Sequence, residues 1–268
     1  MKRFQIALLL FFLARTIQAA SFTNDFVVVF IDADTEARLG DFPFDRAVIA
    51  KAIMRANTLK ARGVVLKFFF DQPRTEPGDT SLSRAMTNIP VILQAGFNST
   101  EIHSNPLPKH FVLSGVKSQS LLSGKSGWIP LPVFAAHARD IGFVDTIGVT
   151  NVPLVESYQS QAVKSLVLCC LEMATGERAT IQADRVMFGS RHILMDAEQS
   201  VPMTLPEKDT LSYIPFHRFL DGETPASWIQ EKIVIIGYDG PKIHSLGGIR
   251  AHRFFIYSLA SAYAQLKN

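Results

Sequence analysis

Hydrophobic positions along this chain alternate between short unbroken runs and segments with helical spacing. Phe26–Ile31 is a continuous apolar run that stops at Asp32, the pattern of a strand covered on both faces. Asp45 is a capping residue, and Ala47, Ile49, Ala50, Ile53, Met54 and Leu59 recur with helical period over 46–60. Gly63 ends that segment, and 64–70 reads as the next buried strand. Asp79 predicts the cap of a short helix to Met86, followed by a strand over 91–95. Strand–helix–strand–helix–strand implies right-handed crossovers and a mostly parallel sheet.

The middle of the chain is less regular. Residues 98–109 form a polar, Pro-containing loop, and 114–127 is rich in Ser and Gly. Short strands are expected at 142–146 and 152–155 around a turn at Gly148, and a helix over 161–175 that Gly176 stops. Residues 186–189 and 192–195 read as a hairpin across Ser190 and Arg191. A short helix at 215–220, a buried strand at 232–237 and a closing helix at 249–266 complete the pattern. There is no internal repeat and no linker between two halves. The expectation is one α/β domain over 20–268, a mostly parallel central sheet with flanking helices and an irregular β-rich middle insertion.

The first twenty residues read differently. Lys2 and Arg3 precede an apolar run from Phe4 to Ala14, broken only by Gln5, which ends at Arg15; Ala19 and Ala20 follow. A membrane-spanning helix needs about 20 apolar residues, so this is the pattern of a cleaved secretory signal over 1–19. The expected location is periplasmic or secreted, with no transmembrane segment in the mature chain.

Composition sharpens that picture. The 268 residues are 47% hydrophobic and 19% charged with 20 Phe, far too apolar for a disordered chain. The two cysteines, Cys169 and Cys170, are adjacent; they cannot staple a scaffold or form a four-ligand zinc site, and they read as small core residues. The formal net charge is +3, but Lys2, Arg3 and Arg15 are the only charges in the leader. Without it, 24 basic and 24 acidic residues remain. That balance gives no electrostatic case for nucleic acid or an anionic membrane.

Candidate chemistry is sparse. There is no G-x-S-x-G elbow, H-E-x-x-H helix or P-loop, and His244 and His252 flank a loop with no third ligand nearby. No cofactor or metal is expected. Phe30 to Thr35, F-I-D-A-D-T, superficially resembles the opening of haloacid-dehalogenase phosphatases. However, the spacing of Asp32 and Asp34 is displaced relative to Thr35, and the late acidic site offers Asp239 alone. Asp32 and Asp71 end successive strands, where open α/β sheets place ligand crevices, and Arg46 opens the helix between them. Either these three line a ligand site or they hold the strand–helix turns through caps and ion pairs.

Three stretches together resemble the CHASE family of extracellular sensory domains, second type. They are V-V-V-F-I-D-A-D-T-E-A-R-L-G-D-F-P at 27–43 with Arg46 beyond it, R-G-V-V-L-K-F-F-F-D-Q-P at 62–73, and E-K-I-V-I-I-G at 231–237 followed by G-I-R-A-H at 248–252. Residues 141–154 and the segment 161–175 are similar to the family's central portion. The chain departs from the pattern at Lys67, in a strand usually wholly apolar, and at Arg253 after His252. The resemblance implies an extracytoplasmic, non-catalytic sensor of a small ligand or a partner protein such as a membrane sensor, and the leader favours a stand-alone secreted member. Asp32, Asp34, Arg46, Asp71 and His252 are the candidate ligand-binding residues. Two other classes remain open: a magnesium-dependent phosphohydrolase, and a structural interaction module with no small ligand.

Overall fold

A computed structural model describes residues 21–97, 106–146 and 148–267; the leader and most of the loop expected over 98–109 lie outside them. The central sheet has six parallel strands: β1 (Phe26–Ile31), β2 (Gly63–Leu66), β3 (Val91–Phe97), β4 (Asp140–Phe143), β5 (Ile214–Pro215) and β6 (Ile233–Tyr238). Their order is β5-β1-β6-β2-β3-β4, and Gly127–Trp128 adds a short antiparallel strand to the end of β3. The last strand in sequence therefore sits at the sheet's centre, with Ile236 paired to Val29 on one side and Leu66 on the other.

Six helices pack around the sheet or shape its carboxyl edge: α1 (Ala33–Leu39), α2 (Arg46–Thr58), α3 (Glu76–Met86), α4 (Leu166–Thr175), α5 (Phe216–Asp221) and α6 (Ala251–Ala264). Alternation along the strands sorts their side chains into two layers. Val29, Ile31, Val64, Leu66, Leu93 and Ile236 share a core with α2, α3 and α5. Phe26, Val28, Phe30, Val65, Ile92 and Ile235 share the opposite core with α4 and α6. Each such side chain contributes about 1.5–3 kcal/mol on full burial, which is why the unbroken apolar runs become the central strands. Among the described residues four smaller sheets complete the α/β architecture, most of them in the middle of the chain.

Local chemistry fixes the element ends. Asp45 Oδ1 accepts from the Ala47 amide at 2.7 Å and starts α2. Ser165 Oγ accepts from the Leu168 amide at 3.1 Å and starts α4, and Gly176, at φ 76°, closes it. Gly142 in β4 lies directly beneath α4: a Cβ built there would overlap the Leu166 backbone.

Several boundaries differ from the sequence pattern. The strand expected over 64–70 ends at Leu66: Lys67 makes one further backbone bond to Ile236 (2.9 Å), and Phe68 and Phe70 then turn into the core shared with α2. Helix α3 begins at Glu76 after Thr75, while Asp79 sits one turn in, its carboxylate taken by Arg46 and the Arg74 amide. The helix expected over 161–175 is a strand, Gln161–Lys164, and then α4. Gln159 and Ser160, with φ of 49° and 63°, make the tight turn that folds Gln161–Lys164 back on Val155–Tyr158. The later hairpin turns over Gly189 and Ser190, one residue earlier than expected, where Gly189 takes φ 59°.

Candidate functional site

The carboxyl ends of β2, β3, β4 and β6 converge on one side of the sheet's midline, and the first turns of α6 arch over them. Open α/β sheets leave crevices at this edge. Here it holds a cavity of about 370 Å³, lined by Lys67, Gln94, Asp145, Ser165, His244 and His252 among aromatic and apolar side chains. That size and that mixture suit a small organic ligand.

Lys67 is the central group. Its backbone leaves β2, and the residue is 7% exposed. The ammonium donates to Gln94 Oε1 at 2.7 Å and lies 5.2 Å from the centre of the Phe255 ring. Burial pulls its pKa down to about 7, against the pull of the Asp145 carboxylate. Asp145 follows β4 and accepts from the Phe97 amide at 2.9 Å. Burial pushes its pKa up to about 6, opposed by that hydrogen bond, by its own backbone amide and by Lys67. Among the described residues the two make no ion pair within 4.0 Å.

His252 presents a fixed tautomer. The Tyr238 amide donates to its Nδ1 at 2.7 Å, so the neutral ring carries its proton on Nε2. Burial, and then the charges of Lys67 and His244, hold its pKa well below the ordinary value. Phe143 and Phe254 form part of the apolar wall, and Phe69 stacks at an angle on Trp128, ring centres 5.0 Å apart, where both are partly exposed.

The five residues singled out from sequence scatter. His252 lines the cavity. Asp32 caps α1: Oδ1 accepts from the Thr35 amide (2.9 Å) and hydroxyl (2.7 Å), and Oδ2 from the Tyr213 hydroxyl (3.2 Å). Asp34 is exposed on α1. Arg46 is 4% exposed and meets neither Asp32 nor Asp71; it pairs with Asp79 at 2.6 Å, donates to the Gln72 carbonyl and lies over Phe70 and Phe134. Asp71 borders a separate Pro-rich hollow beside His110 and Ile129. Lys67, Gln94 and Asp145 were not among the candidates, although a lysine in an apolar strand was the visible signal for the first.

Two further polar clusters lie outside the cavity. Arg253 donates from Nε (2.9 Å) and Nη2 (2.7 Å) to Asp239 Oδ2, from Nη1 to both Asp209 oxygens (3.0 Å), and stacks near Phe30 and Tyr213. It ties α6 to the end of β6. Lys164, Asp140, Glu172 and Arg178 form a four-membered ion network between β4 and α4. Among the described residues no group of three or more His, Cys, Asp or Glu side chains is placed to hold a metal ion.

A family model described as the CHASE2 domain matches residues 4–248. The chain belongs to the CHASE2 domain family, a family of extracellular sensory domains. Neither a curated protein nor a solved structure matches it. Among the described residues, no helix is long and apolar enough to cross a membrane.

Proposed function

We propose that this chain is an exported sensory domain whose cavity at the carboxyl edge takes a small ligand, and that it works through a partner protein rather than by catalysis. The observation that carries the reading is the buried ammonium of Lys67, which among the described residues makes one hydrogen bond, to Gln94, in a cavity of about 370 Å³. A polar group buried this deeply costs free energy unless partners satisfy it, and a bound ligand supplies them. The apolar run before Arg15 supports export through a cleaved signal. The engagement of both Asp32 oxygens in the α1 cap and with Tyr213 speaks against that carboxylate as a phosphatase nucleophile.

A thermal-shift screen of the purified protein tests this. A ligand at 100 times its dissociation constant adds about 2.7 kcal/mol of stability, and that gain should vanish in Lys67→Met. Failure of every small molecule to raise the melting temperature would sink the ligand-binding reading and leave an interaction module. Magnesium-dependent turnover of a phosphomonoester, abolished by Asp32→Asn, would overturn the non-catalytic one.

A further inference from the structure

We infer that the cavity accepts a small zwitterion with an apolar body, of the kind an α-amino acid with an aliphatic or aromatic side chain provides. This rests on the ligand-binding reading above and narrows it to a chemical class. The cavity carries two ionisable groups of opposite sign, the buried Lys67 and the half-buried Asp145, that among the described residues do not contact one another as an ion pair.

Lys67 has three ammonium hydrogens, and Gln94 accepts one of them. Asp145 accepts at Oδ2 from the Phe97 amide and is also served by its own backbone amide, and as a carboxylate that lines the cavity it retains acceptor capacity toward it. Each group thus keeps hydrogen-bonding capacity toward the cavity, and desolvation shifts each toward its neutral form. A purely anionic ligand would satisfy Lys67 and place a second negative charge beside Asp145. A purely cationic one would do the reverse. A ligand bearing both charges satisfies both groups and adds no net charge to a buried site.

The neutral groups fit the same ligand. His252, fixed with its proton on Nε2, is a donor suited to a carboxylate beside Lys67. Phe69 and Trp128 at the mouth offer ring faces to an ammonium. Phe143, Phe254 and Val167 leave an apolar wall for the ligand's side chain.

Calorimetric titration at about pH 7.5 with L-phenylalanine and L-leucine, against 3-phenylpropanoate and phenethylamine, tests the inference. The two analogues each delete one charge from phenylalanine. The expected result is saturable binding of an amino acid, with each analogue at least tenfold weaker. Lys67→Met should abolish binding of phenylalanine, and Asp145→Asn should reduce it to the affinity of 3-phenylpropanoate. Circular dichroism checks that both variants fold, and if one does not, the analogue series on the wild-type protein decides alone. Equal or tighter binding of 3-phenylpropanoate or phenethylamine overturns the zwitterion. So does a neutral sugar or an inorganic anion that binds in a Lys67-dependent way while both amino acids do not, an outcome that keeps the sensory reading. If no compound of any class binds, both readings fall.

Discussion

The Lys67 ammonium donates to Gln94 Oε1 at 2.7 Å across the β2–β3 boundary, with both side chains buried. Among the described residues no carboxylate shares that contact, and the cation is held by an amide and by the Phe255 ring. This gives the cavity a pH signature. The folded pKa of Lys67, about 7, lies below the ordinary lysine value of 10.5. Between those values the unfolded chain binds more protons, so this residue's contribution to stability is least favourable at and below pH 7 and improves as pH rises. Lys67→Met should therefore gain on the wild type by a few kcal/mol at pH 6, and the gain should shrink toward pH 10. Urea titrations of both proteins at pH 6 and pH 9.5 check it; a difference independent of pH would show that Lys67 is not held near neutrality.

Asp32 and Thr35 form a local device. Asp32 Oδ1 accepts from both the amide and the hydroxyl of Thr35, and α1 depends on that cap. Asp32→Ala should cost about 1–2 kcal/mol, with the loss of the Tyr213 hydroxyl contact included. Because Asp32 lies outside the cavity lining, the affinity of any cavity ligand should be unchanged. A denaturation midpoint and one binding isotherm settle both halves.

Arg46 serves α2 and α3 together. It bridges Asp79 and the Gln72 carbonyl while stacking on Phe70 and Phe134. Arg46→Met should cost about 3 kcal/mol, the scale for removing one partner of a buried pair. Arg46→Lys should recover only part, since an ammonium cannot span both acceptors and both rings in one plane. Chemical denaturation of the two variants compares them. Full rescue by lysine would mean that charge alone matters.

The layers of the fold were legible because their causes are local. Unbroken apolar runs made β1, β2 and β6, and caps at Asp45 and Gly176 marked helix ends in the primary structure. The Gln161–Lys164 strand was not, since its apolar residues continue in phase with α4 and only the Gln159–Ser160 turn separates them from the preceding strand. The candidate site was legible in one residue, His252. Asp32 and Arg46 drew notice as buried charges at strand and helix ends, and their partners proved to be turn-holding groups. Lys67, Gln94 and Asp145 meet only because β2, β3 and β4 lie side by side, a relation that exists in the sheet and not along the chain.

Gly142 tests how closely α4 sits on the sheet. A Cβ there would overlap the Leu166 backbone and come within 3.0 Å of Cys169 Sγ. The obstacle is backbone, so no rotamer change relieves it. Gly142→Ala should cost about 1–3 kcal/mol, the range for overpacking a close-packed core, and the displacement of α4 should disturb Ser165 and Val167 in the cavity wall. The measurement is a melting curve together with the affinity of a cavity ligand, and both should fall.

Among the described residues, Glu156 buries a carboxyl with both oxygens unpaired. It is fully buried in the strand Val155–Tyr158. Burial, and then the charge of Asp145, raise its pKa well above the ordinary value of 4.5. The folded state therefore binds a proton that the unfolded chain has released, so stability is lost as pH rises from the unfolded value through the folded one. Removing the carboxyl removes that loss together with an unsatisfied buried polar group, worth about 1–3 kcal/mol. Glu156→Leu should be more stable than the wild type at pH 8, and the advantage should narrow at pH 4. Guanidinium midpoints at the two pH values decide it: a leucine variant less stable than wild type at pH 8 would mean that the carboxylate is ionised and held by contacts in solution.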